Sequence, residues 1–331
     1  MSKLPLTIAS VAYDRVRPII DGRVAIEGCD VNFFPLEPEE AFHRAYHSQD
    51  FDITELSLSS HILTTARGDA PYIAIPVPIL RVFRHGAIYI RTDRGIERPE
   101  DLRGKIVGVP EYQMTAALWV RGLLADEYGV RPQDVHWRNG GLYRPGRAER
   151  TDIALPPDIE LKSIPNDETL SSQLASGALD AVIAPRPPSC FTPDNKNIGR
   201  LFKDVRAAEE AYYRKTRLFP IMHLIAIRRR LLDTHPWLAV SAFKAFCQAR
   251  EVAREEARQV AALHPMNLPW IAADLERVEA VLGTDFGRYG IADNRREIDA
   301  MLRWSVEQGL SRQPPKLEEL IAPSTFSVSL I

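Results

Sequence analysis

Residues 93–128 read DRGIERPEDLRGKIVGVPEYQMTAALWVRGLLADEY, and this stretch decides the fold. A charged loop runs from Asp93 to Gly104, and a fresh strand–helix unit follows it. Lys105 to Val109 is a short apolar run bounded by Gly104 and Pro110, the mark of a buried strand. Tyr112 to Tyr128 carries apolar residues at helical spacing and stops before Gly129. Upstream of the break the same alternation has already occurred. Leu4, Leu6 and Ile8 alternate as a strand, Cys29 to Leu36 makes a second, and Glu37 to His47 places Ala41, Phe42 and Ala45 on one helical face. Phe51 to Leu56 reads as a strand entering a helix from Ser57 to Arg67, and two β-rich stretches follow at Tyr72 to Val77 and Ala87 to Arg91.

Downstream, strands are expected at Val135 to Trp137, Ile159 to Ile164 and Ala181 to Ala184, and helices at Thr169 to Leu179 and Arg206 to Lys215. Arg138 to Pro157, rich in Gly, Pro and Arg, reads as a loop or flap. Ile221 to Ile227 is a strand able to return to the first unit, and the remainder is helical, over Pro236 to Leu263, Leu268 to Leu282 and Asn294 to Gln308. The pattern predicts an α/β chain of two lobes, residues 1–90 with 222–331 and residues 91–221, joined by two crossings with a ligand cleft between them. Hinge closure over a small ligand is the natural use of that architecture. Ligand groups belong where the strands of such sheets end and the next helices begin.

Composition narrows the classes. At 331 residues, 45% hydrophobic and 26% charged, the chain can build a core without disulfides, and disorder, collagen and coiled coil are excluded. Forty-two basic against 44 acidic residues give a net charge of −2, so no global field holds a nucleic acid or an anionic membrane. Cys29, Cys190 and Cys247 are odd in number and widely spaced, which fits a reducing compartment and no zinc site. No apolar run approaches the roughly 20 residues of a spanning helix. The chain is expected to be cytoplasmic. Walker, dinucleotide and nucleophile-elbow motifs are all missing, so no cofactor and no metal are expected, and assembly into a homo-oligomer is left open.

Four strand ends carry polar clusters: Tyr13-Asp14-Arg15, Glu55 to His61, Pro110 to Thr115, and Arg186 to Ser189. Backbone N–H groups at the helix starts near Ser57 to Ser60 and Gln113 to Thr115 would receive a carboxylate, which Arg15 or Arg186 could bind in a fork. The plain alternative is helix caps and surface ion pairs. His43 and His47 are four apart, but Arg44 stands where a zincin has Glu, so a solvated face is expected. His85 and His223 stand near the two crossings and could meet at the cleft, although a lone strand histidine is more often a core residue. Trp119, Tyr212 and Tyr213 are expected in the core.

The strings Tyr13-Asp14-Arg15, Pro35 to Glu40, Glu55 to Ser60, Phe83-Arg84-His85, Val109 to Ala117 and Phe219 to His223 resemble the 4,5-dihydroxyphthalate decarboxylase family, over about Ile8 to Ser324. The resemblance implies a two-lobed fold like that of type II periplasmic binding proteins and a cytoplasmic lyase acting on a small aromatic dicarboxylate. The chemistry constrains the site independently. Direct loss of CO2 from a benzoate leaves an aryl carbanion, so without a carbanion-stabilising cofactor the carboxylate-bearing carbon must be protonated first. A phenol para to that carbon permits this once it is deprotonated, and the site then needs a base, an acid and cationic grips. His223, His85 and Glu55 are the candidates for proton transfer. Tyr13, Arg15, Ser57, Ser59, Arg84, Glu111, Tyr112, Gln113, Thr115 and Arg186 are the candidates for substrate binding. The alternative is a solute-binding or sensing protein of the same fold that binds a small carboxylate without chemistry.

Overall fold

The computed structural model describes residues 3–146, 149, 151–263 and 268–328. The chain begins with β1 (Leu4–Ser10), the one-turn α1 (Arg17–Ile20), β2 (Cys29–Pro35), α2 (Pro38–His47), β3 (Ile53–Ser57), α3 (Leu58–Arg67), β4 (Tyr72–Ala74) and β5 (Leu80–Arg81). It then crosses to β6 (Ile88–Arg91), β7 (Ile106–Val109), α4 (Thr115–Tyr128), β8 (His136–Asn139), β9 (Leu161–Ser163), α5 (Leu170–Ser176), β10 (Ala181–Ile183), β11 (Ile198–Arg200) and α6 (Val205–Thr216). It returns through β12 (Ile221–Arg228) and closes with α7 (Arg229–Thr234), α8 (Leu238–Leu263), α9 (Ile271–Leu282), α10 (Arg295–Glu307) and α11 (Leu317–Leu320).

Two sheets result. The first has the order β2-β1-β3-β12-β4 with β5 paired to β12, and the second the order β11-β6-β10-β7-β8-β9. In the first sheet β1 pairs in parallel with β2 and β3, whereas the returning β12 is antiparallel to β3 and β4. The second sheet begins earlier than the boundary expected at residue 90, because Ile88 already pairs with Ile183 and Ile90 with Ala181. Residues 88–91 form a strand too short to show a period, so their partner sheet was not readable from spacing alone.

The core is layered accordingly. One face of the first sheet packs Ile8 and Ile225 against Phe243 and Phe246 of α8, and the outer face of the second packs Tyr89 and Val182 against Leu170 and Leu174 of α5. Between the sheets one continuous cluster joins Leu56 and Ile62 to Leu118, Trp119, Ile183 and Trp304. Trp119 is here, as expected of a core residue, and its indole N–H donates to the Ile221 carbonyl at 2.9 Å, tying α4 to the returning strand. The C-terminal α10 is not confined to the first lobe. Its Trp304 meets Trp119 edge to face at 4.7 Å, and this fit requires Gly122, where a Cβ would stand 2.3 Å from the indole. No helix among the described residues is long and apolar enough to cross a membrane.

Candidate functional site

Where β3 and β12 run side by side, Ser57 stands opposite His223 and Glu55 opposite Ile225. Glu55, Ser57 and His223 therefore share one face of the sheet, with Glu55 diagonal to His223. The His223 Nδ1 lies 2.5 Å from Glu55 Oε1, which also accepts from the Tyr13 hydroxyl at 2.9 Å. The other oxygen accepts from Ser10 Oγ at 2.8 Å and from the Val11 backbone N–H at 3.1 Å. A carboxylate has about four acceptor positions, and here all four are filled. Burial of this fully enclosed group would raise its pKa, but the bonds from His223, Val11 and Ser10 outweigh that and hold the carboxyl below its usual range. Burial, together with the same charge, pushes the Tyr13 phenol well above its ordinary value. Glu55 is thus an anion that accepts from Nδ1–H, which leaves Nε2 as the His223 nitrogen free for a ligand.

His223 forms part of the wall of a cavity of about 290 Å³ at the junction of the two sheets. Phe42 meets the imidazole edge to face at 4.9 Å, and Leu80, Val82 and Met222 complete an apolar side. Arg84 is on the same wall. Its Nε donates to the Met222 sulfur at 3.1 Å, burial brings its guanidinium down to about 10, and it makes no ion pair among the described residues. It is still a cation at neutral pH, and the charge acting on it is that of Glu209, which makes no contact ion pair with it. The opposite wall carries Glu111, Gln113, Met114 and Thr115 from the turn between β7 and α4, with Pro185 and Arg186 after β10. An adjoining cavity of about 460 Å³ shares Glu39, Met114, Pro185 and Arg186 and is bounded by residues 141–146 of the expected flap. Arg186, after β10 of the second sheet, places its Nη2 3.3 Å from Glu37, between β2 of the first sheet and α2. Positions 147, 148 and 150 of that flap lie outside the described residues.

The two helix starts meet directly and are not separated by an open cleft. Thr115 Oγ1 is 2.8 Å from Ser57 Oγ and accepts the Ser59 backbone N–H at 3.1 Å. Ser60 Oγ donates to Gln113 Oε1 at 2.6 Å, and Gln113 Nε2 donates to Glu111 Oε2 at 2.6 Å. The backbone N–H groups of Tyr112 and Gln113 donate to Glu149, at 2.5 and 3.3 Å. Burial raises the Glu149 carboxyl even so. Of the helix-start donors expected to hold a ligand carboxylate, those of Ser59, Gln113 and Met114 are therefore engaged within the chain.

Of the expected site residues, Ser57, Arg84, Glu111, Gln113, Thr115, Arg186 and His223 line the cavity, and Glu55 and Tyr13 stand behind His223. The remaining four lie elsewhere. His85 is in the core, its ring edge to face with Phe202 and Tyr212 at 5.1 and 5.2 Å, its Nδ1 without a partner, and burial pushes it down to about 4. Arg15 lies over the Tyr13 ring at 4.1 Å, pairs with Asp14 and donates from Nε to the Ile79 carbonyl. Tyr112 is enclosed, with its hydroxyl on the Gln308 carbonyl and the Arg121 guanidinium 3.7 Å above its ring. Ser59 is buried with an unpartnered Oγ. Sequence reasoning missed Ser10, Phe42 and Met222. Phe42 carried a signal in the inward face of its helix, and Met222 in the string Phe219 to His223, whereas Ser10 carried none. Among the described residues no three His, Cys, Asp or Glu side chains gather in a way that could hold a metal ion.

No model of a known family matches the chain. It is 44% identical over 326 residues, 98% of its own length and 98% of the relative's, to the 4,5-dihydroxyphthalate decarboxylase of Comamonas testosteroni. It is 50% identical over 214 residues, 65% of its length and 83% of the relative's, to the 4,5-dihydroxyphthalate decarboxylase of Pseudomonas putida. Among solved structures, the periplasmic aliphatic sulphonate binding protein SsuA from Escherichia coli aligns with 100% of this chain and 96% of that one, at a TM-score of 0.53 and 14% identity. Likeness at that identity speaks for the fold alone, which is two-lobed and type II-like.

Proposed function

The chain belongs to the 4,5-dihydroxyphthalate decarboxylase family, and from that premise we propose that the cavity beside His223 converts 4,5-dihydroxyphthalate to protocatechuate and CO2. His223 is the proton-transfer group. Its Nε2 takes the proton of the hydroxyl para to the departing carboxylate, and the Glu55 anion, 2.5 Å from Nδ1, stabilises the imidazolium that forms. Charge then moves through the ring to the carboxylate-bearing carbon, which takes a proton from solvent water, and the His223 imidazolium later returns its own proton to the phenolate oxygen. The bond to CO2 breaks as the ring regains aromaticity.

Arg84 grips the carboxylate that stays, because it is a cavity cation without an ion pair among the described residues. Phe42, Leu80 and Val82 provide apolar surface for the ring. Glu55 acts through His223, and Tyr13 and Ser10 hold Glu55 in turn. The observation that carries this reading is a buried carboxylate–histidine pair and, on the same cavity wall, an arginine without a contact ion pair among the described residues. In this reading the lobes are built on the two sheets and close through the crossings near Gly86 and Phe219. The cysteines Cys29, Cys190 and Cys247 are free, which suits the reducing cytoplasm.

The test is CO2 release and product identity when purified protein is offered 4,5-dihydroxyphthalate. Turnover to protocatechuate is expected. Tight binding of the acid without turnover would return the chain to the solute-binding alternative.

A further inference from the structure

Behind the strand pair that presents Leu80 and His223 to the cleft lies another cavity, of about 310 Å³. Arg81 opens onto it, since β5 turns successive side chains to opposite faces. Arg217, Arg288 and Arg296 stand around it, and Tyr213, Phe219 and Phe286 supply aromatic surface.

Three of these arginines are placed oddly for structural residues. The Arg81 side chain is only 7% exposed and donates from Nη1 to the Phe219 carbonyl at 2.5 Å, yet its Nε has no partner, and its carboxylate contact, with Glu297, is 3.4 Å long. Glu297 is shared, since it also accepts the Phe219 N–H at 3.1 Å. Arg217 closes α6 in the left-handed region, φ +60°, where helices usually place glycine, and its guanidinium stands over Tyr213. Arg296 occupies the first turn of α10, where the positive end of the helix disfavours a cation. Neither Arg217 nor Arg296 makes an ion pair among the described residues. The cavity's acids are already engaged, Asp285 by Arg250, Arg254 and Arg288, and Asp293 by Arg288.

We infer that this cavity is a second binding site, for a small aromatic carboxylate. The carboxylate is held by Arg81, Arg217 and Arg296, and the ring lies against Tyr213 and Phe219. The volume is at the lower end of small-molecule pockets, which suits a single-ring ligand. The proposal stands apart from the chemistry assigned to the cleft.

Calorimetric titration of phthalate into the full chain tests it. Two sites are expected in the unaltered protein and one in the Arg217→Gly, Arg296→Ala double variant, which keeps its turnover of 4,5-dihydroxyphthalate. Each single substitution should weaken the second site about tenfold to hundredfold, the loss of one charge-assisted contact. Arg217→Gly suits the left-handed backbone, so its melting temperature should not fall. A single site in the unaltered protein, or two in the double variant, overturns the proposal. Turnover reads the cleft separately, so failure there is told apart from failure here.

Discussion

At the scale of the residue, the site turns on which groups touch the cavity and which act through a neighbour. His223→Gln should lower kcat by roughly 10²- to 10⁴-fold with little change in KM, the usual share of acid–base catalysis. Glu55→Gln should also lower kcat with KM nearly kept, since Glu55 reaches substrate only through His223. Arg84→Ala should raise KM about tenfold to hundredfold. Arg15→Ala should leave KM unchanged, because Arg15 is spent on Tyr13, Asp14 and Ile79. Steady-state kinetics on the four variants checks these outcomes together, and equal losses in all four would contradict them. The sequence marked His85 and His223 alike, as histidines near a crossing. What separates them is long-range: a carboxylate 168 residues away for one and the rings of Phe202 and Tyr212 for the other. Spacing along the chain carries no trace of either.

At the scale of the element, the strand–helix units were legible because strand and helix periods differ and because glycine and proline mark their ends. β5 and β11 were not, being two and three residues long. The expected helix from Tyr112 begins at Thr115, since the amides of Tyr112 and Gln113 go to Glu149, a residue far along the chain. The seam between α3 and α4 was hidden in the same way. Thr115→Val removes the acceptor of the Ser59 N–H and a partner of Ser57, and should cost about 1–3 kcal/mol. Gly122→Ala drives a Cβ into Trp304 and should cost about 1–3 kcal/mol through overpacking. Thermal melts of both variants should show a lowered midpoint, and an unchanged Gly122→Ala midpoint would mean that α10 does not seat as described.

At the scale of the whole molecule, acid should unfold the protein through its buried histidines. His61, whose Nε2 meets the Leu320 carbonyl at 2.8 Å, and His85 are both pushed down to about 4 by burial, from an ordinary 6.5. The unfolded chain therefore binds these protons first. Stability from the two groups is complete above about pH 6.5 and falls as pH drops toward 4, by about 3 kcal/mol for each. Urea denaturation at pH 7 and pH 5 checks the sign, and equal midpoints would refute it. The Arg186–Glu37 contact behaves differently. Both side chains are largely exposed, 59% and 76%, so the pair adds little to folding. It nevertheless joins the segment after β10 of the second sheet to the residue before α2, and dissolved ions weaken such contacts over a screening length of about 8 Å at physiological ionic strength. Added sodium chloride should therefore alter how fast the two halves part and admit substrate, at concentrations that leave the melting temperature where it was.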